Sequence, residues 1–88
     1  MEVLYTPHFK REAKRLPASL RSLVEKRLEL FCEDAFHASL KTHKLTGKLH
    51  EYWSFSINQR VRVICSFEGS VKVILHSIGD HSVYDRFF

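Results

Sequence analysis

The apolar residues of this chain follow two different spacings, one in each half of the sequence. In the first half they recur every three or four positions, which is the spacing of a helix with one buried face. Phe9, Ala13 and Leu16 share one such face, and Thr6 followed by Pro7 is a favourable helix start. The pattern therefore predicts a short helix near the N-terminus, preceded by a short apolar strand with the sequence EVLYT.

A longer helix is predicted from about Ala18, in the stretch SLRSLVEKRLELFCEDA. Its apolar residues form a single stripe, opposite a charged face: Leu20, Leu23, Val24, Leu28, Phe31 and Ala35. We expect both helices to bury their apolar faces, and we assign no chemistry to them.

In the second half the spacing changes to two, which is typical of strands buried on one face. Residues 36–50 have no clear period and predict a loop that turns at Gly47. Three strands follow, joined by turns at residues 58–59 and 68–70. The sequence thus predicts one α+β domain over residues 1–88 in the order β-α-α-β-β-β. Its antiparallel sheet is expected to carry the two N-terminal helices on one face.

The alternation also predicts which strand residues point away from the helices, onto a face that we expect to be partly open: Ser54, Ser56, Arg62, Ile64 and His76. The strands offer no acidic neighbour to Arg62. Its planar guanidinium is therefore predicted to be available for binding a phosphate with two parallel hydrogen bonds.

The formal charge of +4 is concentrated in the middle of the chain. Residues 37–62 carry five Lys/Arg and one acidic residue, whereas residues 1–36 have a net charge of +1 and residues 63–88 a net charge of −1. A concentrated basic segment indicates a partner that carries phosphates. A solvated loop explains the same composition, and charge alone does not decide between the two.

The composition argues against a metal centre and a membrane protein. Cys32 and Cys65 lie far apart in apolar segments, so we expect buried, reduced thiols, and the histidines lack the spacing of zinc ligands. No apolar run approaches the roughly 20 residues of a transmembrane helix, and the N-terminal segment lacks the layout of a signal peptide. We expect a cytoplasmic protein that uses no metal and no cofactor.

The chain closes with HSIGDHSVYDRFF, which places His81 and Tyr84 in a short turn after the last strand. Gly79 tolerates backbone angles that would fold this segment sharply back toward Arg62. His81 either exchanges protons with a substrate or is a turn residue bonded to a local carbonyl. Tyr84 either contacts a substrate or packs the chain end.

Three stretches resemble the RelE/ParE superfamily of toxins from type II toxin–antitoxin systems. HKLTGKLHEYWSFSI resembles the loop that leads into a strand, RVRVICSF resembles the strand with the arginine, and SIGDHSVY resembles the histidine-plus-aromatic tail of the RelE/YafQ/HigB-like branch. The resemblance covers nearly the whole chain. It implies a RelE-like fold and a toxin that associates with a cognate antitoxin, in a complex that is a higher oligomer.

The resemblance also implies an activity, namely a metal-independent, ribosome-dependent mRNA endoribonuclease (an mRNA interferase). Such an enzyme acts on mRNA in the ribosomal A site, where it contacts 16S rRNA, and cleaves by attack of a 2′-hydroxyl on the adjacent phosphate. Arg62, His81 and Tyr84 would be the catalytic residues. The RNA backbone would be held by six further residues: Lys41, His43, Lys44, Lys48, His50 and Arg60.

The chain departs from the pattern of its relatives at Ser54, Ser56 and Ser82, where other polar functional residues are common. The acid–base pair is therefore incomplete, and His50 or His76 is a candidate for the missing partner. The alternative function implied by the same superfamily is a non-catalytic, ParE-like protein that inhibits DNA gyrase by binding. A third is a small nucleic-acid-binding domain without a toxin role.

Overall fold

The elements are arranged as the periodicity predicts, with a few short additions. A computed structural model describes residues 1–86. Its helices are α1 (Pro7–Lys14), α2 (Ala18–Glu33) and the four-residue α3 (Val83–Arg86). Its strands are β1 (Glu2–Tyr5), β2 (His43–Lys44), β3 (Trp53–Ser56), β4 (Arg62–Glu68) and β5 (Lys72–Gly79). The predicted loop contains β2 and two 3₁₀ turns, at Ala38–Leu40 and Gly47–Leu49. No helix in residues 1–86 combines the length and the apolar character needed to cross a membrane.

The strands form one sheet in the order β1-β5-β4-β3-β2. The predicted α+β class, with two main helices and a sheet, is confirmed. One detail differs: β1 runs parallel to β5, with Val3 opposite Val73, so the sheet is mixed and not wholly antiparallel. Tight turns force the consecutive strands β3, β4 and β5 to reverse direction. The chain between β1 and its neighbour β5 contains both helices and the other three strands, and a parallel pair needs a long connection.

The predicted stripes of α1 and α2 pack on one face of the sheet. Phe31 of α2 is fully buried, and its ring stacks on Phe55 of β3 with the centroids 4.1 Å apart. The predicted start of α1 is confirmed, because the Thr6 hydroxyl accepts a hydrogen bond from the Phe9 amide at 3.0 Å. These contacts join both helices to one core with the sheet.

The other face of the sheet is not as open as predicted. Ser54 and Ile64 are fully buried, although they point away from the helices. Helix α3 packs against β4 and β5 on this side, and it contributes the buried Val83. The tail thus covers the middle of the face that was expected to be partly open, whereas Arg62 and His76 on the same face are half-buried.

The two cysteines differ in their surroundings. Cys65 is fully buried in β4, and burial raises the pKa of its thiol to about 12. Cys32 is exposed on α2, so its predicted burial was wrong. Its position on α2 lies next to the buried Phe31 and thus turns toward solvent.

Candidate functional site

The tail is folded back over the sheet by Asp80. Its carboxylate accepts hydrogen bonds from the Ser82 amide, at 2.9 Å, and from the Ser82 hydroxyl, and its carbonyl accepts from the Val83 amide at 2.9 Å. Such side-chain bonds are typical of a residue that begins a helix. The expected role of Gly79 was wrong: it pairs with Arg62 as the last residue of β5, and the glycines with positive φ within residues 1–86 are Gly47 and Gly69.

Arg62 is half-buried and lies at the start of β4, directly after the turn from β3. Its Nη1 donates to the carbonyls of Asn58 and Val61. Within residues 1–86 no carboxylate lies in ion-pairing range of its guanidinium, and its Nη2 and Nε make no hydrogen bond. The guanidinium is therefore fixed on one side and has donors available on the other.

The tail brings His81 and Tyr84 to the same pocket as Arg62. This pocket, called here the Arg62 pocket, has a volume of about 470 Å³. Its walls come from the middle loop, the sheet and the tail: Lys41, His43, Leu45, Thr46, Leu49, Ser56, Arg62, His81 and Tyr84. All three residues predicted to be catalytic thus line one cavity, together with two of the six predicted to bind RNA.

The backbone around Lys41 fixes the ring of His43. The carbonyl of Lys41 accepts a hydrogen bond from His43 Nδ1 at 2.8 Å, and because a carbonyl oxygen only accepts, Nδ1 carries the hydrogen. In the neutral ring Nε2 then has a free lone pair. Lys41 itself has φ of 52°, a left-handed conformation that is uncommon for residues other than glycine and is found mostly where surroundings enforce it.

Tyr84 is anchored through its hydroxyl. The hydroxyl lies 2.9 Å from Oγ of the fully buried Ser54, so the two groups hydrogen-bond across the sheet face. The His81 ring lies beside Tyr84, with the ring centroids 6.1 Å apart in an edge-to-face arrangement. His81 is exposed, and both rings border the Arg62 pocket.

The other predicted RNA-binding residues lie outside this pocket. Lys44 is exposed on β2, Arg60 is exposed in the turn before β4, and His50 is exposed with its Nδ1 donating to the Gly47 carbonyl at 3.1 Å. Lys48 borders a separate cavity beside Tyr84. Lys44, Lys48 and Arg60 are thus exposed basic residues that do not border the Arg62 pocket.

His76 occupies a different part of the sheet. Its Nε2 lies 2.7 Å from the Ser66 hydroxyl, and its ring packs edge-on against Tyr52 at 5.2 Å. Burial lowers the pKa of His76, while the charge of Glu68 acts in the opposite direction. His76 and His50 were candidates for the second acid–base group, and neither of them borders the Arg62 pocket.

Two features of the site were missed from the sequence. The sequence could have indicated the role of Asp80, because an aspartate just before a short helical stretch is a common helix cap. No sequence pattern could have indicated the fixed tautomer of His43, because it depends on a carbonyl whose direction follows from the left-handed backbone of Lys41. Within residues 1–86 no group of three or more His, Cys, Asp or Glu side chains is arranged to hold a metal ion.

Comparison by sequence finds no matching family profile and no matching curated protein. Comparison by structure finds bacterial toxins. The YoeB/ParE toxin from Agrobacterium tumefaciens matches with a TM-score of 0.76 at 19% identity, over 92% of this chain and 99% of that one. YafQ from E. coli strain BL21(DE3) matches with a TM-score of 0.75 at 15% identity, over 94% and 96%. The toxin–antitoxin complex RelBE2 from Mycobacterium tuberculosis matches with a TM-score of 0.74 at 15% identity, over 91% and 96%.

The chain therefore has the α+β fold of the RelE/ParE superfamily of toxins, and the resemblance seen in its motifs is confirmed at the level of the fold. Within that fold it is about equally similar to YoeB, YafQ and the RelBE2 chain. At these sequence identities the likeness establishes the fold, and the activity must be inferred from the residues of the site.

Proposed function

We propose that this protein is an endoribonuclease toxin that cleaves mRNA on the ribosome. One observation carries the proposal: Arg62, His43 and His81 border a single pocket in a fold of the toxin type. A guanidinium and two imidazoles at one pocket are suited to RNA cleavage, because that reaction needs one proton removed, one proton returned and a negatively charged phosphate stabilised.

The steps assign one role to each group. His43 Nε2 accepts the proton of a ribose 2′-hydroxyl, and the 2′-oxygen attacks the adjacent phosphorus. Arg62 binds the non-bridging oxygens as their charge grows. The bond from phosphorus to the 5′-oxygen breaks, and protonated His81 gives that oxygen a proton. The products are a 2′,3′-cyclic phosphate and a 5′-hydroxyl. The RNA supplies its own nucleophile, so this route calls for no metal ion.

Lys41 and the surrounding basic residues would hold the RNA backbone, and the ring of Tyr84 would stack on a base. The likeness of the fold supports an antitoxin partner, since the RelBE2 structure is a toxin–antitoxin complex. Ribosome dependence is proposed from the resemblance of the sequence motifs alone. The ribosomal A site, with its 16S rRNA, would present the message, and the protein would act in the cytoplasm.

Primer extension on an mRNA translated in vitro tests the proposal. New 5′ ends should appear only on ribosome-bound message, and they should carry 5′-hydroxyls. His43→Gln and His81→Gln should each slow single-turnover cleavage by about 10²–10⁴-fold, the usual effect of losing a positioned acid or base. His8→Gln, which changes an exposed histidine on α1, is the matched control and should cleave as the wild type does.

Absence of new 5′ ends would contradict the proposal. If the same protein then inhibited DNA gyrase supercoiling, the ParE-like alternative would hold instead. If both histidine variants still cleaved RNA at the wild-type rate, His43 would not be the base and His81 would not be the acid.

A further inference from the structure

Arg27 lies on the face of α2 that is turned toward the core. The acidic residues of α2 face solvent, whereas Arg27 follows Val24 by three positions and precedes Phe31 by four, and both of those are buried in the core. Arg27 is itself half-buried. An arginine in such a position buries its apolar stem and keeps its charged head group accessible.

The side chain of Arg27 is held in one direction. Its Nη1 donates to the Ser39 hydroxyl at 3.0 Å, and Ser39 is also bonded to His37 Nδ1 at 2.9 Å. Within residues 1–86 no carboxylate lies in ion-pairing range of Arg27. Its charge is thus not neutralised by the described part of the chain.

Arg27 borders a second pocket that adjoins the Arg62 pocket. This Arg27 pocket has a volume of about 520 Å³, which is within the usual range for a small-ligand site. Lys41, Ser56 and Arg62 line both pockets. The Arg27 pocket extends the cleft on the side of Arg62 away from His81 and Tyr84, which do not border it.

The amide side chains of Asn58 and Gln59 complete the Arg27 pocket. Asn58 Oδ1 accepts from the amides of Arg60 and Val61, so that oxygen is used to hold the turn. The Gln59 side chain is exposed and makes no hydrogen bond within residues 1–86. A free amide of this kind matches the edge of an unpaired base.

We propose that the Arg27 pocket is a second nucleotide subsite, in which Arg27 and Lys41 bind the phosphate next to the one at Arg62 and Gln59 contacts the base. The inference rests on the proposed function and extends it to the RNA strand beside the cleaved bond. Single-stranded RNA is the ligand that the arrangement favours. Two adjoining cationic pockets that share Lys41 and Arg62 match a chain with a phosphate at every residue.

The test measures binding without cleavage. A tetranucleotide with 2′-O-methyl groups throughout lacks the attacking hydroxyl, so its affinity for the isolated full chain is measured by NMR titration at several salt concentrations. Arg27→Gln keeps a donor for Ser39 but loses the charge. It should weaken binding about 10–100-fold, in line with losing a charged hydrogen bond. The slope of log affinity against log salt should fall by about 0.7, the value for one phosphate contact on a single strand.

Two further variants control the result. Arg27→Lys should keep the salt slope and recover part of the affinity, since it restores the charge without the planar fork. Lys26→Ala removes an exposed charge from the neighbouring position of α2 and should leave both quantities unchanged. A purely structural role for Arg27 would lower the melting temperature of Arg27→Gln without changing the salt slope, and that result would overturn the subsite.

Other outcomes separate this inference from the proposed function. If the wild type cleaves mRNA but Arg27→Gln leaves the tetranucleotide affinity and its salt slope unchanged, the subsite alone is overturned. A wild type that binds the tetranucleotide through Arg27 but cleaves no message would support the subsite and overturn the nuclease. Hexaglutamate binding that depends on Arg27, without any RNA binding, would overturn the subsite in favour of an acidic protein segment.

Discussion

At the scale of single residues, the site depends on how firmly Arg62 is held. Its Nη1 donates to two carbonyls of the preceding turn, and β4 carries its backbone. The guanidinium plane is therefore oriented before any ligand binds. Charge that is oriented in advance stabilises a developing oxyanion most effectively, because little reorganisation is needed during the reaction.

Replacing Arg62 should abolish most cleavage and leave the fold intact. Arg62→Ala is expected to slow single-turnover cleavage by about 10²–10³-fold, the effect of losing one oxyanion-binding group. Arg62→Lys should fall between the alanine variant and the wild type, because a point charge does not reproduce the fork. The control is Arg11→Ala, an exposed arginine on α1, which should be fully active. Unfolding of Arg62→Ala in urea titrations would instead identify a structural arginine.

At the scale of elements, two short pieces complete the site on a rigid sheet. β2 has only two residues, yet its pairing with β3 places His43 opposite Ser54. Helix α3 has four residues, and it places Tyr84 over that same Ser54. Both pieces depend on the sheet for their position, since neither is long enough to be stable by itself.

The bond between Ser54 and Tyr84 predicts a specific pattern of stabilities. Tyr84→Phe leaves the buried Ser54 hydroxyl without its partner and should lower the free energy of unfolding by about 1–3 kcal/mol. Ser54→Ala combined with Tyr84→Phe removes both groups and should recover part of that loss, giving a measurable coupling in a double-mutant cycle of urea titrations. Cleavage by Tyr84→Phe should stay within a few-fold of the wild type, because the ring still stacks.

The same variants show whether the Tyr84 hydroxyl takes part in chemistry. A loss of cleavage in Tyr84→Phe beyond about 10²-fold, at a temperature where the variant is fully folded, would assign proton transfer to the hydroxyl. Tyr84→Leu tests the ring itself and should weaken RNA binding, since stacking on an aromatic ring is lost.

At the scale of the whole molecule, His76 couples stability to pH. Burial lowers its pKa, so the folded protein holds the ring neutral while the unfolded chain protonates at the ordinary histidine value. The unfolded state then binds more protons as the pH falls, and the native state loses stability. The loss should begin near the ordinary value of about 6.5 and continue down to the lowered value.

Urea titrations between pH 5 and pH 8 measure this effect, with His76→Gln as the comparison. The wild type should lose stability toward the acid end, and His76→Gln should lose less, because glutamine has no proton to take up. Equal slopes in the wild type and His76→Gln would contradict the assignment of this effect to His76.

The sequence by itself determined the main helices and strands and most of the core. Helical spacing over residues 9–35 and alternation after residue 53 are local properties, since they depend on which side chains share a face of one element. The stripes of α1 and α2 and the inward faces of β3 and β4 are therefore found where the pattern predicts them. The sequence motifs predicted the fold that the solved toxins have.

Only the tertiary structure decided what those elements bring together. The parallel direction of β1, the burial of Ser54 under α3, the tautomer of His43 and the inward position of Arg27 all depend on residues distant in the chain. The pattern of a strand specifies its two faces and not what covers them. A pocket is formed by several elements together, so the sequence suggested His50 and His76 as acid–base candidates and assigned His43 only to RNA binding, whereas the folded chain places His43 at the Arg62 pocket.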